Sequence, residues 1–317
     1  MLTKQSREHL TLEPIPGAPF GACVTGFDAM NITQSQTNTL HTGCREAHGL
    51  LCFEFDDLIT VEELHALTAV FGKKEFAPGR ITGYGRKAEE GGPRLSIDAQ
   101  VSQLREKGID PYLAFLGNLD PVTLKRRSTD TKFFGEWEWH TDMSYIPVPP
   151  TFSLLHARII PDDGGDTGFS SQVLAARALP IELRRALKGR QIKHDSTYGS
   201  NGLMRPGMTV PKSPVEALGS AHPALRRVPN TGDEALFLGR RTNGYVVGMP
   251  LDESEALLNE AWAHATKSEF CYRHSWRVGQ VVVWDNRMLL HMRYPFDESK
   301  DRFMWRTQTK GEAVVPA

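Results

Sequence analysis

Residues 137–150 read WEWHTDMSYIPVPP, with His140 and Asp142 two apart at the centre. Of eleven histidines, only His140 has a carboxylate two residues on. If the segment is a strand, side chains at i and i+2 project from one face. The pair then offers two ligands of a facial triad, the two-histidine, one-carboxylate set that leaves half of an iron(II) octahedron open. Alone, an H-x-D pair is more often structural than metal-binding. Its meaning depends on what the rest of the chain adds.

The third ligand is expected far along the chain. His291 is the candidate, near the end of the strand-like run QVVVWDNRMLLHMR (280–293). Arg302 follows eleven residues later and Arg306 four after that. A hairpin return would set both beside His291, and their even spacing puts them on one strand face. Two guanidinium groups turned into an apolar interior are costly unless they meet anions. A dicarboxylic cosubstrate and an acidic primary substrate would be such anions. In the turn GGDTG, Thr167 offers a hydroxyl that can join an arginine on a carboxylate.

In order along the chain, WHTDMSYIPVPP, GGDTGF, WDNRMLLH and RFMWRTQTKG carry H-T-D, G-G-D-T, W-D-N-R-x-x-x-H and R-x-x-x-R. Together they resemble the iron(II)/2-oxoglutarate-dependent dioxygenases of the TauD/TfdA family, the taurine and 2,4-dichlorophenoxyacetate type. The resemblance covers 137–311 well and 10–72 loosely, and the segment VGMPLDESEALLNEAWAHATKSEFCYRHSWRVGQVVVWDNR leans to the phenoxyacetate branch. It implies Fe(II) on His140, Asp142 and His291, 2-oxoglutarate on Thr167 and Arg302, and O2 as oxidant. Arg306 is implied on the anionic group of the primary substrate, or in the cosubstrate site. Met143, three residues after His140, is a candidate for lining the substrate pocket.

The implied reaction is hydroxylation of a small organic anion, an aryloxyalkanoate-like carboxylate first. A sulfonate such as taurine, or an alkyl sulfate, is the alternative. The product would fragment where the hydroxyl lands beside an ether or sulfonate group. Asp142 argues for hydroxylation, because related halogenases lack this carboxylate. Two positions depart from the pattern: Glu136 stands where taurine enzymes carry asparagine, and Gln280 where the family has aspartate. A non-oxidative metal-dependent jelly-roll protein is the further alternative, and the arginine pair speaks against it. Family members are commonly dimers or tetramers, so a homo-oligomer is expected by resemblance.

The 317 residues carry a net charge of −1, which gives no basic surplus for nucleic acid or an anionic membrane. No apolar run approaches the ~18–20 residues that span a bilayer. Cys23, Cys44, Cys52 and Cys271 form no C-x-x-C and read as reduced thiols, which points to the cytoplasm. There is no G-x-G-x-x-G after a strand and no Walker A, against a nucleotide-cofactor fold.

No repeat or low-complexity linker divides the chain, so a single domain over 1–317 is expected. It contains a long, Gly-rich, lid-like insert around 73–136 with a strand at 113–120. Thr60 with Glu63 forms a capping box before a helix that stops at Gly72, and Asp252 with Glu255 forms a second box. A helical piece after 172 is expected to break at Pro180. Short strands with Gly-rich corners, few helices and no βαβ alternation predict a mainly β chain with flanking helices. Its core is expected to be a double-stranded β-helix, or jelly roll.

Overall fold

The computed structural model describes residues 10–55, 57–76, 97–126, 137–205, 208–229 and 231–317. Two sheets carry the architecture. The larger runs Thr11–Pro14, Ala22–Thr25, Leu50–Phe53, Val281–Asp285, Phe152–Ile159, Phe303–Gln308, Ala114–Gly117. The smaller runs Cys271–His274, Thr167–Ser171, Leu289–Arg293, Trp137–His140.

In the larger sheet, the strand Leu50–Phe53 and positions 281–284 of Val281–Asp285 are apolar throughout because both of their faces are buried. Leu51, Phe53, Leu154, Val281 and Val283 pack outward against Leu40, Leu64 and Leu67 of the helices Gln34–Glu46 and Val61–Phe71. Their neighbours Leu50, Cys52, Leu155, Val282 and Trp284 pack inward, where Phe169 and Leu289 of the smaller sheet meet them. Period-2 alternation is therefore intact, but hydrophobicity alone does not reveal it.

Successive strands cross between the sheets. The chain passes from Trp137–His140 (smaller) to Phe152–Ile159 (larger) and then to Thr167–Ser171 (smaller). The turn between the last two holds Gly164 at φ +76° and Gly165 at φ +71°, a backbone region that favours glycine. The run expected as one strand over 280–293 is two, Val281–Asp285 in the larger sheet and Leu289–Arg293 in the smaller. The expected hairpin return is also corrected. Phe303–Gln308 lies in the larger sheet, between Phe152–Ile159 and Ala114–Gly117, so its arginines approach His291 from the facing layer. Their even spacing does not set a common face either, because Arg302 precedes the strand and the register shifts between Phe303 and Met304.

The helices Gln172–Arg177, Ile181–Leu187 and Leu251–Ala265 build a further cluster, with Leu183, Leu187, Leu258 and Trp262 at its centre. Pro180 separates the first two, as its missing N–H requires. The Thr60–Glu63 capping box forms as expected. The Asp252–Glu255 box does not: the helix starts earlier, after Pro250, and Asp252 falls in its first turn, where a carboxylate favours the helix dipole.

Much of the expected lid-like insert, 77–96 and 127–136 with Glu136, lies outside the described residues. Its described part holds a helix, Ile97–Glu106, that the weak periodicity concealed. Val101 and Leu104 of that helix pack with Phe76. The strand expected over 113–120 is Ala114–Gly117.

Several histidines are buried as neutral rings. Burial pushes His156 and His194 down to about 3 and His274 to about 4. The unfolded chain protonates these rings below about 6.5, while the folded chain resists. Stability is therefore full above about pH 6.5 and falls with pH. At pH 5.5 each ring costs more than ~1 kcal/mol, and the three together cost about 4 kcal/mol. Urea titrations at pH 7.5 and 5.5 should differ by this amount; equal midpoints would contradict the neutral burial.

Candidate active site

His140 closes the strand Trp137–His140 and lies directly opposite His291 on Leu289–Arg293. Residues directly opposite in an antiparallel pair share a face, and the two rings meet at 4.1 Å between centroids. Asp142 is not on the strand. The strand ends at His140, and the chain turns through Met143 at φ +49°. The Thr141 N–H anchors that turn on the Gly239 carbonyl at 2.8 Å. The turn, rather than strand alternation, brings the Asp142 Oδ1 to 3.9 Å from His140 Nε2 and 3.8 Å from His291 Nε2. One ligand atom from each of the three buried residues lies within 4.8 Å of the others.

The tautomer of His140 suits a metal. Its Nδ1 sits 2.7 Å from the Glu138 carbonyl, which can only accept, so Nδ1 carries the proton and Nε2 keeps its lone pair. Burial holds His140 well below the ordinary imidazole range, helped by His291 and Arg240 and opposed by Asp142.

The outer oxygen of Asp142, Oδ2, is tightly held. It accepts from Ser153 Oγ at 2.8 Å and from Arg306 Nη2 at 2.5 Å, with both charged side chains 4% exposed. Ser153 Oγ in turn accepts from Asn286 Nδ2 and Gln308 Nε2, both at 2.9 Å, and Asn286 accepts from Trp284 Nε1. One hydroxyl thus uses its single proton and both lone pairs. This chain explains part of the W-D-N-R motif: Asn286 steadies the aspartate ligand through Ser153. Asp285 and Arg287 form the expected ion pair at 2.7 Å. Nothing in the sequence marks Ser153, a serine inside an apolar strand.

Arg302 is 3% exposed, and burial lowers its proton affinity, opposed by Asp166. Its Nε has no hydrogen-bond partner. The nearby Asp166 is taken by Arg273 Nε at 2.6 Å and Ser275 Oγ at 3.1 Å. A side chain at Gly165 would sit 3.3 Å from Arg302 Nε, so glycine there keeps room for the guanidinium. Thr167 Oγ1 accepts from Trp276 Nε1 at 3.0 Å, which leaves its proton to donate.

Arg293 was not anticipated. It lies two residues after His291, directly opposite Thr167, and burial, joined by nearby Arg302, lowers its proton affinity. Its guanidinium lies over the Trp137 and Phe296 rings. The i, i+2 spacing from His291 was the available signal. Met143 is half-buried in the turn, its carbonyl accepting from the Ile146 N–H. His156 packs on Trp305, and His194 packs on His222 and Phe237, consistent with structural roles.

A family model described as "Taurine catabolism dioxygenase TauD, TfdA family" matches residues 11–308. The alpha-ketoglutarate-dependent 2,4-dichlorophenoxyacetate dioxygenase of Cupriavidus pinatubonensis is 36% identical over 184 residues. That match covers 57% of this chain and 63% of the relative, a little under two thirds of its length. The (S)-phenoxypropionate/alpha-ketoglutarate-dioxygenase of Sphingobium herbicidovorans is 27% identical, covering 93% of each chain. Among solved structures, AAD-2 in complex with Mn(II) and N-oxalylglycine superposes with a TM-score of 0.75 at 24% identity. It covers 98% of this chain and 100% of that one, and it shows the likeness of fold.

Proposed function

Because the chain belongs to the taurine catabolism dioxygenase TauD, TfdA family, we propose that it is an iron(II)- and 2-oxoglutarate-dependent dioxygenase that hydroxylates a small organic anion. An aryloxyalkanoate-like carboxylate is the favoured substrate, in keeping with what the two relatives are named for. One observation carries the reading: besides three converging ligand atoms, the interior holds Arg302, near Arg293 two residues past His291, buried with no carboxylate bonded to it among the described residues. A plain metal hydrolase has no use for such a cation; a dicarboxylic cosubstrate does.

His140, Asp142 and His291 would hold the iron, which, when bound, supplies oxygen activation coupled to oxidation of 2-oxoglutarate. The other residues position and shield. Arg302 and the Thr167 hydroxyl receive the far carboxylate of the cosubstrate, with Arg293 adding positive charge to the same end. Arg306 and Ser153 fix the orientation of Asp142, so that Oδ1 faces the metal. Met143 borders the primary substrate, and Arg306, paired with Asp142, serves the anionic group of that substrate or the cosubstrate site. A hydroxyl set on a carbon bearing an ether or sulfonate group lets the product fragment.

We read the alternation of strands between the sheets as a double-stranded β-helix in a single domain. Four free cysteines support a cytoplasmic site of action, and among the described residues no helix is long and apolar enough to cross a membrane. A homodimer or homotetramer is the proposed assembly.

Succinate formation from 2-oxoglutarate, with Fe(II) and air, tests the function. Phenoxyacetate or 2-phenoxypropionate should stimulate it most. Stimulation by taurine or hexyl sulfate alone would move the substrate class to sulfonates or sulfates. Metal-dependent turnover of any substrate without 2-oxoglutarate would contradict the reading.

A further inference from the structure

A second interior cation lacks a bonded carboxylate. Arg226, on the strand Leu225–Arg227, is 3% exposed, and its Nε has no hydrogen-bond partner. No carboxylate lies within ion-pair distance of it among the described residues, although Arg184, Arg241, Arg273, Arg277 and Arg287 each have one. Its guanidinium lies 4.8 Å from the centre of the Phe237 ring. Burial pushes its pKa down to about 10, opposed by Asp285 and Glu312 and helped by Arg287.

Asp285, Arg287 and Glu312 line a cavity of about 320 Å³. That volume suits a small ligand, whose pockets run from roughly 300 to 1,000 Å³. Phe71 and Phe152 line it too, with their rings 5.2 Å apart, and Met288 stands beside them. Phe152 packs outward with the helices Gln34–Glu46 and Val61–Phe71, whereas the next residue, Ser153, reaches Asp142 on the inward side. Neighbours along a strand point to opposite faces, so the cavity and the metal cluster lie on opposite sides of Phe152–Ile159.

The charges at the cavity do not balance. Arg287 is bonded to Asp285 at 2.7 Å and, through Nη1, to Glu312 at 2.5 Å. Arg45 and Lys310 also line the cavity, and neither has a carboxylate within ion-pair distance among the described residues. With Arg226 nearby, four cations stand against two carboxylates, which leaves two positive charges over. Glu312 shows how an anion is received there. Its side chain is 48% exposed and rests on the outer edge of a guanidinium that is 12% exposed. An oxygen from a dissolved anion can take the same place on the arginine fork.

We propose that this cavity is a second binding site, for a small organic dianion with an apolar body, which displaces Glu312 from Arg287 and is held by Arg45 and Lys310. The two excess charges set the dianion, and Phe71, Phe152 and Met288 set the apolar body. A phosphate monoester and a dicarboxylate share this chemistry, and both present paired oxygens to an arginine. A single carboxylate would leave one positive charge unmatched. Nothing in the site requires iron or 2-oxoglutarate.

Calorimetric titration of the full-length, metal-free protein with phenyl phosphate and with glutarate tests it. At least one probe should bind at one site per chain in the parent, and equally in Arg302→Met, which lacks the interior cation proposed for 2-oxoglutarate. The double variant Arg45→Gln, Lys310→Gln should bind it about 10-fold more weakly. Glu312→Gln should bind it about 3-fold more tightly, because the resident carboxylate no longer competes. Tighter phenyl phosphate assigns the site to a phosphate monoester and tighter glutarate to a dicarboxylate, and either supports it. A parent that binds neither probe overturns the proposal. Binding lost in Arg302→Met but kept in the double variant overturns it too, by placing the probe beside the metal ligands, and leaves the dioxygenase reading standing. Arg45 and Lys310 are exposed, so the double variant should fold as the parent does. Unchanged affinity in that variant and in Glu312→Gln also overturns the proposal.

Discussion

Asp142→Ala should lose iron and stability together. The aspartate supplies one of three ligand atoms and is also the partner of Arg306, with both side chains 4% exposed. Removing one member of a buried ion pair strands the other, at a cost of roughly 3–5 kcal/mol. Urea unfolding of the metal-free variant should show that loss, equilibrium dialysis should show no stoichiometric iron, and turnover should fall to background. Ser153→Ala separates the two effects. It keeps the ligand and the ion pair but strands the Asn286 donor and leaves Gln308 Nε2 only its 3.4 Å contact with Asp142 Oδ2. Iron affinity should fall about 10–100-fold, and stability by about 1–3 kcal/mol. A metal-free Asp142→Ala protein as stable as the parent would mean that Arg306 is not bonded to it.

Arg302→Met should act in the opposite sense on stability. Its charge is buried at a desolvation cost that no bonded carboxylate among the described residues offsets and that nearby Asp166, taken by Arg273, opposes only in part. Without cosubstrate, the variant should melt at or above the parent temperature, with iron affinity unchanged. Affinity for 2-oxoglutarate should fall roughly 30-fold or more, the loss of about 2 kcal/mol or more expected when a buried charge pair loses one partner. Arg302→Lys should recover only part of it, because an ammonium lacks the planar fork. Thermal melts with and without 2-oxoglutarate measure both effects. Equal cosubstrate affinity in parent and variant would remove Arg302 from the site.

What the sequence made legible follows from which signals are local. Capping at Thr60 and the break at Pro180 depend on residues a few positions apart, and both formed as expected. The metal cluster was legible because ligand chemistry restricts residue type severely, so His140, Asp142 and His291 stood out even though the route to Asp142 is a turn. Sheet membership was hidden. Val281–Asp285 and Leu289–Arg293 read as one apolar run because strands buried on both faces lose polar alternation. Ser153 and Arg293 were concealed for a related reason. Their roles come from partners on other strands, and the residues themselves carry no rare chemistry. The Arg306–Asp142 pair joins positions 164 residues apart, a contact that spacing within one strand could not foretell.

The central claim is that one interior holds iron on His140, Asp142 and His291 and 2-oxoglutarate on Arg302 and Thr167. The visible spectrum of the protein with Fe(II) under argon, before and after adding 2-oxoglutarate, tests it most directly. A weak metal-to-ligand charge-transfer band should appear on addition, and Asp142→Ala should abolish it. Bound iron that gives no band with 2-oxoglutarate would contradict the account.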